Sequence, residues 1–148
     1  MSGDLYHNRV LELSAEIPNI GHLDSPDGKS HKVSRVCGSE IWVELNLSDN
    51  LETITDVAVT SKACALGAAT LSVFSEHAVG AHVDEVYEAR DTMKAMLKEN
   101  GPPPTGRFWE LRHLEGVREY PQRHMSTMLA LEAAVAAIED ARANREAA

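Results

Sequence analysis

Residues 57–69 read VAVTSKACALGAA and pass from a short alternating strand, through a turn that contains Lys62, into an almost wholly apolar helix. Cys64 lies where the turn meets this helix. Free backbone N–H groups and the positive end of the helix dipole at a helix N-terminus favour a thiolate over a thiol. We therefore interpret Cys64 as a candidate metal ligand or nucleophile rather than an inert core cysteine.

A predicted β-hairpin brings the other cysteine of the chain towards Cys64. Apolar and polar side chains alternate over residues 40–48 and again over 55–59, and the intervening Ser48-Asp49-Asn50 supplies turn-forming residues. In a hairpin folded about Asn50, Cys37 falls opposite residues 63–65. The topology thus predicts one site that contains Cys37 and Cys64, with a regulatory disulfide as the simple alternative.

Composition limits the class of protein. The 148 residues are enough for one domain with a hydrophobic core, and the net charge of −9 argues against nucleic acid or an anionic membrane as the principal partner. We recognise no signal peptide and no apolar stretch of bilayer length, so we expect a cytoplasmic protein. Two cysteines in a reducing compartment are more often metal-binding or redox-active than structural. Motifs for hydrolytic chemistry are absent from the sequence.

The remaining periodicity predicts mostly helices. Helical patterns cover about residues 6–17, 65–79, 84–98 and 121–142, with one or two further turns over 108–114, while a brief run over 31–36 predicts an edge strand. Strands precede most of the helices, which predicts an α+β fold spanning 1–148 as a single domain. It should consist of an antiparallel sheet of about three strands, with four to five helices packed on one face. We assign Glu110 to a solvated face.

Four short motifs in this order and spacing resemble one known family. They are IPNIGHL at 17–23, Cys37-Gly38 before the hairpin, KACA at 62–65 and GVREYPQR at 116–123. Over about residues 6–140 the chain resembles the NifU and IscU type of scaffold protein, including its SufU-like branch, on which iron–sulfur clusters are assembled.

This resemblance implies a scaffold or carrier rather than an enzyme. Such a protein receives sulfur from a pyridoxal-dependent cysteine desulfurase and iron from another source. It then passes a cluster, typically [2Fe-2S], to apo iron–sulfur recipient proteins. The resemblance therefore implies an iron or [2Fe-2S] load, with zinc as a further possibility.

The family pattern assigns ligand positions residue by residue. Its first two cysteines fall on Cys37 and Cys64, whereas its third falls on Ser126. The acidic residue that follows Cys-Gly in the family is replaced by Ser39, although Glu40 comes next. Serine is a poor ligand for a cluster or for zinc, so these two departures leave the ligand set incomplete.

His124 is the imidazole nearest to the missing ligand position and is our candidate third metal ligand. In a regular helix, positions 124 and 126 point to nearly opposite sides, so His124 reaches the site only if the segment is irregular. The alternatives are the Glu40 carboxylate, a small exogenous thiol, or a cluster that bridges two subunits.

Three functions from different classes follow. The first is a cluster scaffold that binds iron and sulfide through Cys37 and Cys64. The second is a zinc-bound sulfur acceptor that acts as a sulfurtransferase partner of a desulfurase. The third is a metal-free adaptor that keeps only the fold. We rank the scaffold first, because two thiols are kept while the third, on which such a zinc site depends, is missing.

Overall fold

A computed structural model describes residues 7–35 and 38–147 of the chain. Within these residues, three antiparallel strands form one sheet in the order β1 (Gly28–Ser34), β2 (Ser39–Leu47) and β3 (Ile54–Lys62). The helical elements in the same part of the chain are α1 (Asn8–Ala15), α2 (Ala65–Ala78), α3 (Val83–Lys98), two 3₁₀ segments (Gly106–Glu119 and Pro121–Arg123) and α4 (His124–Ala147). The predicted α+β class with a three-stranded sheet is confirmed.

The sheet has one buried and one more exposed face, as the alternation in β2 predicts. Ile41, Val43 and Leu45 are fully buried, whereas Trp42 and Glu44 between them are only half-buried. Helix α4 packs across β1 and β2, and α2 packs against β3. The apolar residues of both helices join those of the sheet in one hydrophobic core.

Close backbone packing holds α4 against β1. A β-carbon at Gly28 would lie 2.2 Å from the carbonyl oxygen of Ala137, so only glycine permits this approach. One turn further towards the start of α4, the Ser30 hydroxyl donates to the carbonyl oxygen of Ala133 at 2.6 Å. These contacts fix how the first turn of α4 lies relative to the sheet.

The hairpin forms as the alternation predicts. Glu40 pairs with Lys62 and Trp42 pairs with Thr60. The first residues of β2 and the last residues of β3 therefore lie side by side at one end of the sheet. Cys64 follows β3 by two residues, so this end of the sheet is where the predicted site belongs.

The segment after α3 differs from its prediction. The sequence predicts one or two turns of helix over 108–114, but a longer 3₁₀ segment covers Gly106–Glu119 with a kink at Phe108. Its buried residues Phe108, Leu111 and Leu114 recur every three residues, which is the repeat of a 3₁₀ helix, and they pack into the core. In residues 7–35 and 38–147, none of the helices has the length and apolar character that crossing a bilayer requires.

Candidate functional site

Cys64 is the N-cap residue of α2, as the sequence predicts. Its backbone is extended, with φ of −67° and ψ of 167°, and its carbonyl oxygen accepts the first helical hydrogen bond from Ala68 N–H at 2.9 Å. The side chain itself makes no capping hydrogen bond and is half-buried. The sulfur is therefore available to a ligand at the positive end of a helix that is almost entirely buried.

Ser126 is the hydrogen-bond partner of the Cys64 thiol. The Sγ atom of Cys64 donates to the Oγ atom of Ser126, and the two atoms are 3.7 Å apart. Ser126 lies in the first turn of α4 and is fully buried, and its own hydroxyl donates to the carbonyl oxygen of Arg123 at 3.3 Å. The structure thus brings to Cys64 the residue that the family pattern aligns with a third cysteine.

Gly67 makes this contact between two helices possible. A β-carbon at position 67 would lie 2.9 Å from the carbonyl oxygen of Ser126. Because Gly67 is in the first turn of α2 and Ser126 is in the first turn of α4, the two helix starts can touch. The absence of a side chain at position 67 is what brings the Ser126 hydroxyl within reach of the sulfur.

His124 makes its described hydrogen bond away from Cys64. It is the first residue of α4 and is buried, and its Nε2 atom lies 3.0 Å from the carbonyl oxygen of Val117. A carbonyl oxygen only accepts, so Nε2 carries the proton in this contact. The residues before His124 form a 3₁₀ segment, and α4 is a regular helix from His124 onwards. The irregular backbone that would turn the His124 ring towards Ser126 therefore ends before His124.

The start of β2 contributes one hydroxyl and one carboxylate. Ser39 is buried and pairs with the fully buried Ser34, whose Oγ atom has no hydrogen-bond partner among the described residues. Glu40 is only half-buried, and its Oε1 atom lies 3.2 Å from Nε2 of His31. The His31 ring in turn stacks on Trp42, with ring centroids 4.5 Å apart.

The described part of the chain does not by itself supply a complete metal site. Within residues 7–35 and 38–147, no three His, Cys, Asp or Glu side chains gather in an arrangement that could hold an ion. Cys37 lies outside the described residues, so its predicted approach to Cys64 stays a prediction. The described hydrogen-bond partner of the Cys64 thiol is the Ser126 hydroxyl.

The IPNIGHL motif lies along the sheet. Gly21 N–H donates to the carbonyl oxygen of Val59 at 3.0 Å, which attaches the motif to β3. His22 Nδ1 lies 2.7 Å from one carboxylate oxygen of Glu44, and Leu23 N–H donates to the other at 2.8 Å. The motif therefore crosses from β3 to β2 and ties the two strands together.

Glu110 belongs to a second polar cluster, and its position contradicts the prediction of a solvated face. Glu110 is buried rather than solvated, with 9% of the residue exposed. Arg9 Nη2 donates to both of its carboxylate oxygens, at 2.7 and 3.0 Å, and a ring nitrogen of His77 and one of His113 lie within 4.0 Å. The cluster borders a cleft of about 710 Å³ near the end of α2 opposite to Cys64. No local signal reveals this pair, because 101 residues separate Arg9 from Glu110.

Comparison with known proteins agrees with the fold and the motifs. Among solved structures, the chain resembles a nitrogen-fixing NifU-like protein (N-terminal) from Brucella abortus at 42% identity and a TM-score of 0.92, with 96% of this chain and 97% of that one covered. Its fold also resembles a protein from Fervidobacterium islandicum AW-1 described as an iron–sulfur cluster assembly scaffold for the SUF system. That likeness has a TM-score of 0.83 and 18% identity, over 93% of this chain and 99% of the other.

A curated relative is the mitochondrial iron sulfur cluster assembly protein 1 of Debaryomyces hansenii, which is 27% identical over 103 residues, or 68% of this chain. The chain spans 56% of the length of that protein. The family model described as the NifU-like N terminal domain matches residues 5–148. Because that match covers almost the whole sequence, the chain belongs to the family of NifU-like N-terminal domains.

Proposed function

We propose that this protein is a scaffold or carrier for iron–sulfur cluster assembly, which takes iron and sulfide as cargo through Cys37 and Cys64. It then transfers a cluster of the [2Fe-2S] type to apo recipient proteins. The observation that supports this most directly is the position of Cys64, a half-buried thiol at the start of α2 with no capping hydrogen bond. Thiolates are the usual ligands of such clusters.

The hairpin supports the second ligand. Glu40 and Lys62 pair at the end of the sheet, so Gly38, directly before β2, and Cys64, two residues after β3, both lie at that end. Cys37 directly precedes Gly38 in the sequence. We propose on this basis that Cys37 and Cys64 share the cargo, with His124 retained as the candidate third ligand. The nitrogen left for that role is Nδ1, because Nε2 contacts the Val117 carbonyl.

The proposed role is not enzymatic in the strict sense. A cysteine desulfurase supplies the sulfur, and the protein holds the iron and sulfur atoms together until a recipient binds. With two cysteines in the sequence, the chain offers fewer thiolates than the four that a stable [2Fe-2S] centre normally uses. Incomplete ligation favours transfer, which a carrier needs. The same cysteine usage suits a reducing compartment, such as the cytoplasm.

The test is anaerobic reconstitution with ferrous iron, cysteine, a cysteine desulfurase and a thiol reductant that releases the desulfurase persulfide as sulfide, followed by absorbance spectroscopy and by iron and sulfide analysis. Wild-type protein should become coloured and contain iron and sulfide in about equal amounts. C64S and C37S should each lose most of the bound iron, whereas S72C, altered at a buried serine eight positions after Cys64, should behave as wild type. A colourless wild-type protein without bound iron would contradict the proposal.

A further inference from the structure

We infer that Ser126 sets the metal preference of this site: it places a hydroxyl where a third protein ligand would stand, and so keeps zinc weakly bound. The inference rests on the proposed role of Cys64 as a cargo ligand. It concerns the specificity of the site, namely that this chain does not retain zinc as a resident ion.

The distance between the two side chains is that of two ligands on one ion. Sulfur atoms that share a tetrahedral zinc ion at about 2.3 Å lie about 3.8 Å from each other. The Sγ atom of Cys64 and the Oγ atom of Ser126 are 3.7 Å apart. An ion bound to Cys64 on this side would therefore meet residue 126 as its next neighbour.

The side chain at position 126 determines which ligand atom is offered to such an ion. Zinc sites in proteins use cysteine, histidine and carboxylate ligands, and a neutral serine hydroxyl is a weak substitute. The Ser126 hydroxyl already donates to the Arg123 carbonyl and accepts from Cys64. Its place in the site is thus that of a hydrogen-bond partner of the sulfur.

The neighbouring imidazole and carboxylate groups are engaged elsewhere. His124 Nε2 contacts the Val117 carbonyl at 3.0 Å, and Glu40 Oε1 contacts His31 at 3.2 Å. Over residues 7–35 and 38–147, no three potential ligands are close enough to bind an ion together. In the geometry described, these two groups therefore do not replace the missing thiolate, and His124 could do so only through Nδ1.

Exchanging one atom tests this assignment. Cysteine is nearly isosteric with serine, so S126C fits the fully buried position and adds a thiol beside Cys64. S126A removes the hydroxyl. S72C adds a buried thiol on α2 about 12 Å further along the helix, and it is the matched control for thiol number.

The experiment measures zinc affinity of the full chain by competition with a chromophoric chelator, in a phosphine reductant that prevents a disulfide between residues 64 and 126. We expect S126C to bind zinc at least about 100-fold more tightly than wild type, because the added thiolate lies beside that of Cys64. S126A and S72C should stay within about threefold of wild type. Replacing Cys64 by Ser in the S126C protein should remove the gain.

Two results would overturn the inference: no gain in zinc affinity in S126C over wild type, or a loss of more than tenfold in S126A, which would make the hydroxyl a ligand. Thermal unfolding with and without zinc shows that each variant folds, and zinc should raise the Tm of S126C most. None of these measurements uses a cluster. Failed reconstitution together with a gain in S126C would therefore reject the proposed function and leave the inference standing.

Discussion

The backbone of Gly67 lies so close to the carbonyl oxygen of Ser126 that a β-carbon at position 67 would be 2.9 Å away. Alanine normally stabilises a helix interior by about 1 kcal/mol relative to glycine. Here we expect G67A to do the opposite and lower the free energy of unfolding by about 1–3 kcal/mol, because the starts of α2 and α4 must separate. Urea denaturation measures this.

The control for G67A is G116A. A β-carbon at Gly116 would meet no atom within 4 Å, so this variant should stay within about 0.5 kcal/mol of wild type. Equal stabilities of G67A and wild type would mean that a β-carbon fits between the starts of α2 and α4 without displacing them. In that case the contact between Cys64 and Ser126 would not depend on the glycine.

The sheet and α2 could be predicted because their signals are local. Ile41, Val43 and Leu45 alternate with polar residues on one strand, and the apolar run after Cys64 is long enough to indicate a buried helix. The turn residues between the strands fix the hairpin, so the position of Cys64 at the start of α2 follows from neighbouring sequence.

The rest depends on contacts between distant residues. No local pattern pairs Arg9 with Glu110, because 101 positions separate them, and Glu110 lies outside the three-residue apolar repeat of its 3₁₀ segment. The position of Ser126 at the site came from the resemblance to a family, since nothing within α4 itself indicates a partner 62 positions earlier. The approach of Cys37 stays a prediction.

Arg9 and Glu110 join α1 to the 3₁₀ segment, so breaking the pair should destabilise the fold. R9M leaves a buried carboxylate without its donor of three hydrogen bonds, and we expect a loss of about 1–3 kcal/mol in the free energy of unfolding. R112M is the control, because Arg112 lies on the surface, where it donates to the Trp109 carbonyl and lies over the Trp109 ring. It should cost less than about 0.5 kcal/mol.

A double-mutant cycle separates the unpaired carboxylate from other effects of R9M. Adding E110Q to R9M removes the buried charge, so the double variant should be more stable than the sum of the two single losses implies. Strict additivity of R9M and E110Q would contradict a direct interaction between the two side chains.

His113 should make the fold less stable at acidic pH. Burial lowers the pKa of His113, and the charges of His7, Arg9 and Arg112 add to this, while Glu110 opposes it. The unfolded chain therefore binds the proton more readily than the folded one. This contribution to stability is present above the ordinary histidine value of about 6.5 and is lost as the pH falls below it.

The test for His113 compares wild type and H113Q by urea unfolding at pH 7.5 and pH 5.5. Wild type should lose more stability than H113Q between the two values, because glutamine does not titrate. The same loss in both proteins would mean that other groups cause the acid sensitivity.

Glu44 should anchor the IPNIGHL motif through its charge. Burial alone would raise the pKa of Glu44, but the hydrogen bonds from His22 and the Leu23 amide, with the charges of His22 and Lys29, outweigh it and lower the pKa. We expect E44Q to lose about 1–2 kcal/mol of unfolding free energy at pH 7, since hydrogen bonds to a carboxylate are stronger than those to an amide. E40Q, altered on the same strand at a carboxylate whose described hydrogen bond is to the exposed His31 ring, should lose less than about 0.5 kcal/mol.

The pH dependence of E44Q tests the same contact in a second way. A carboxyl group whose pKa is lowered in the folded state contributes stability above its unfolded pKa, and the contribution disappears as the pH falls through the folded value. The stability difference between wild type and E44Q should therefore be constant near neutral pH and shrink below about pH 4.5, the ordinary value for glutamate. A difference that persists unchanged into acid would show that the shape of the Glu44 side chain, rather than its charge, holds the motif on the sheet.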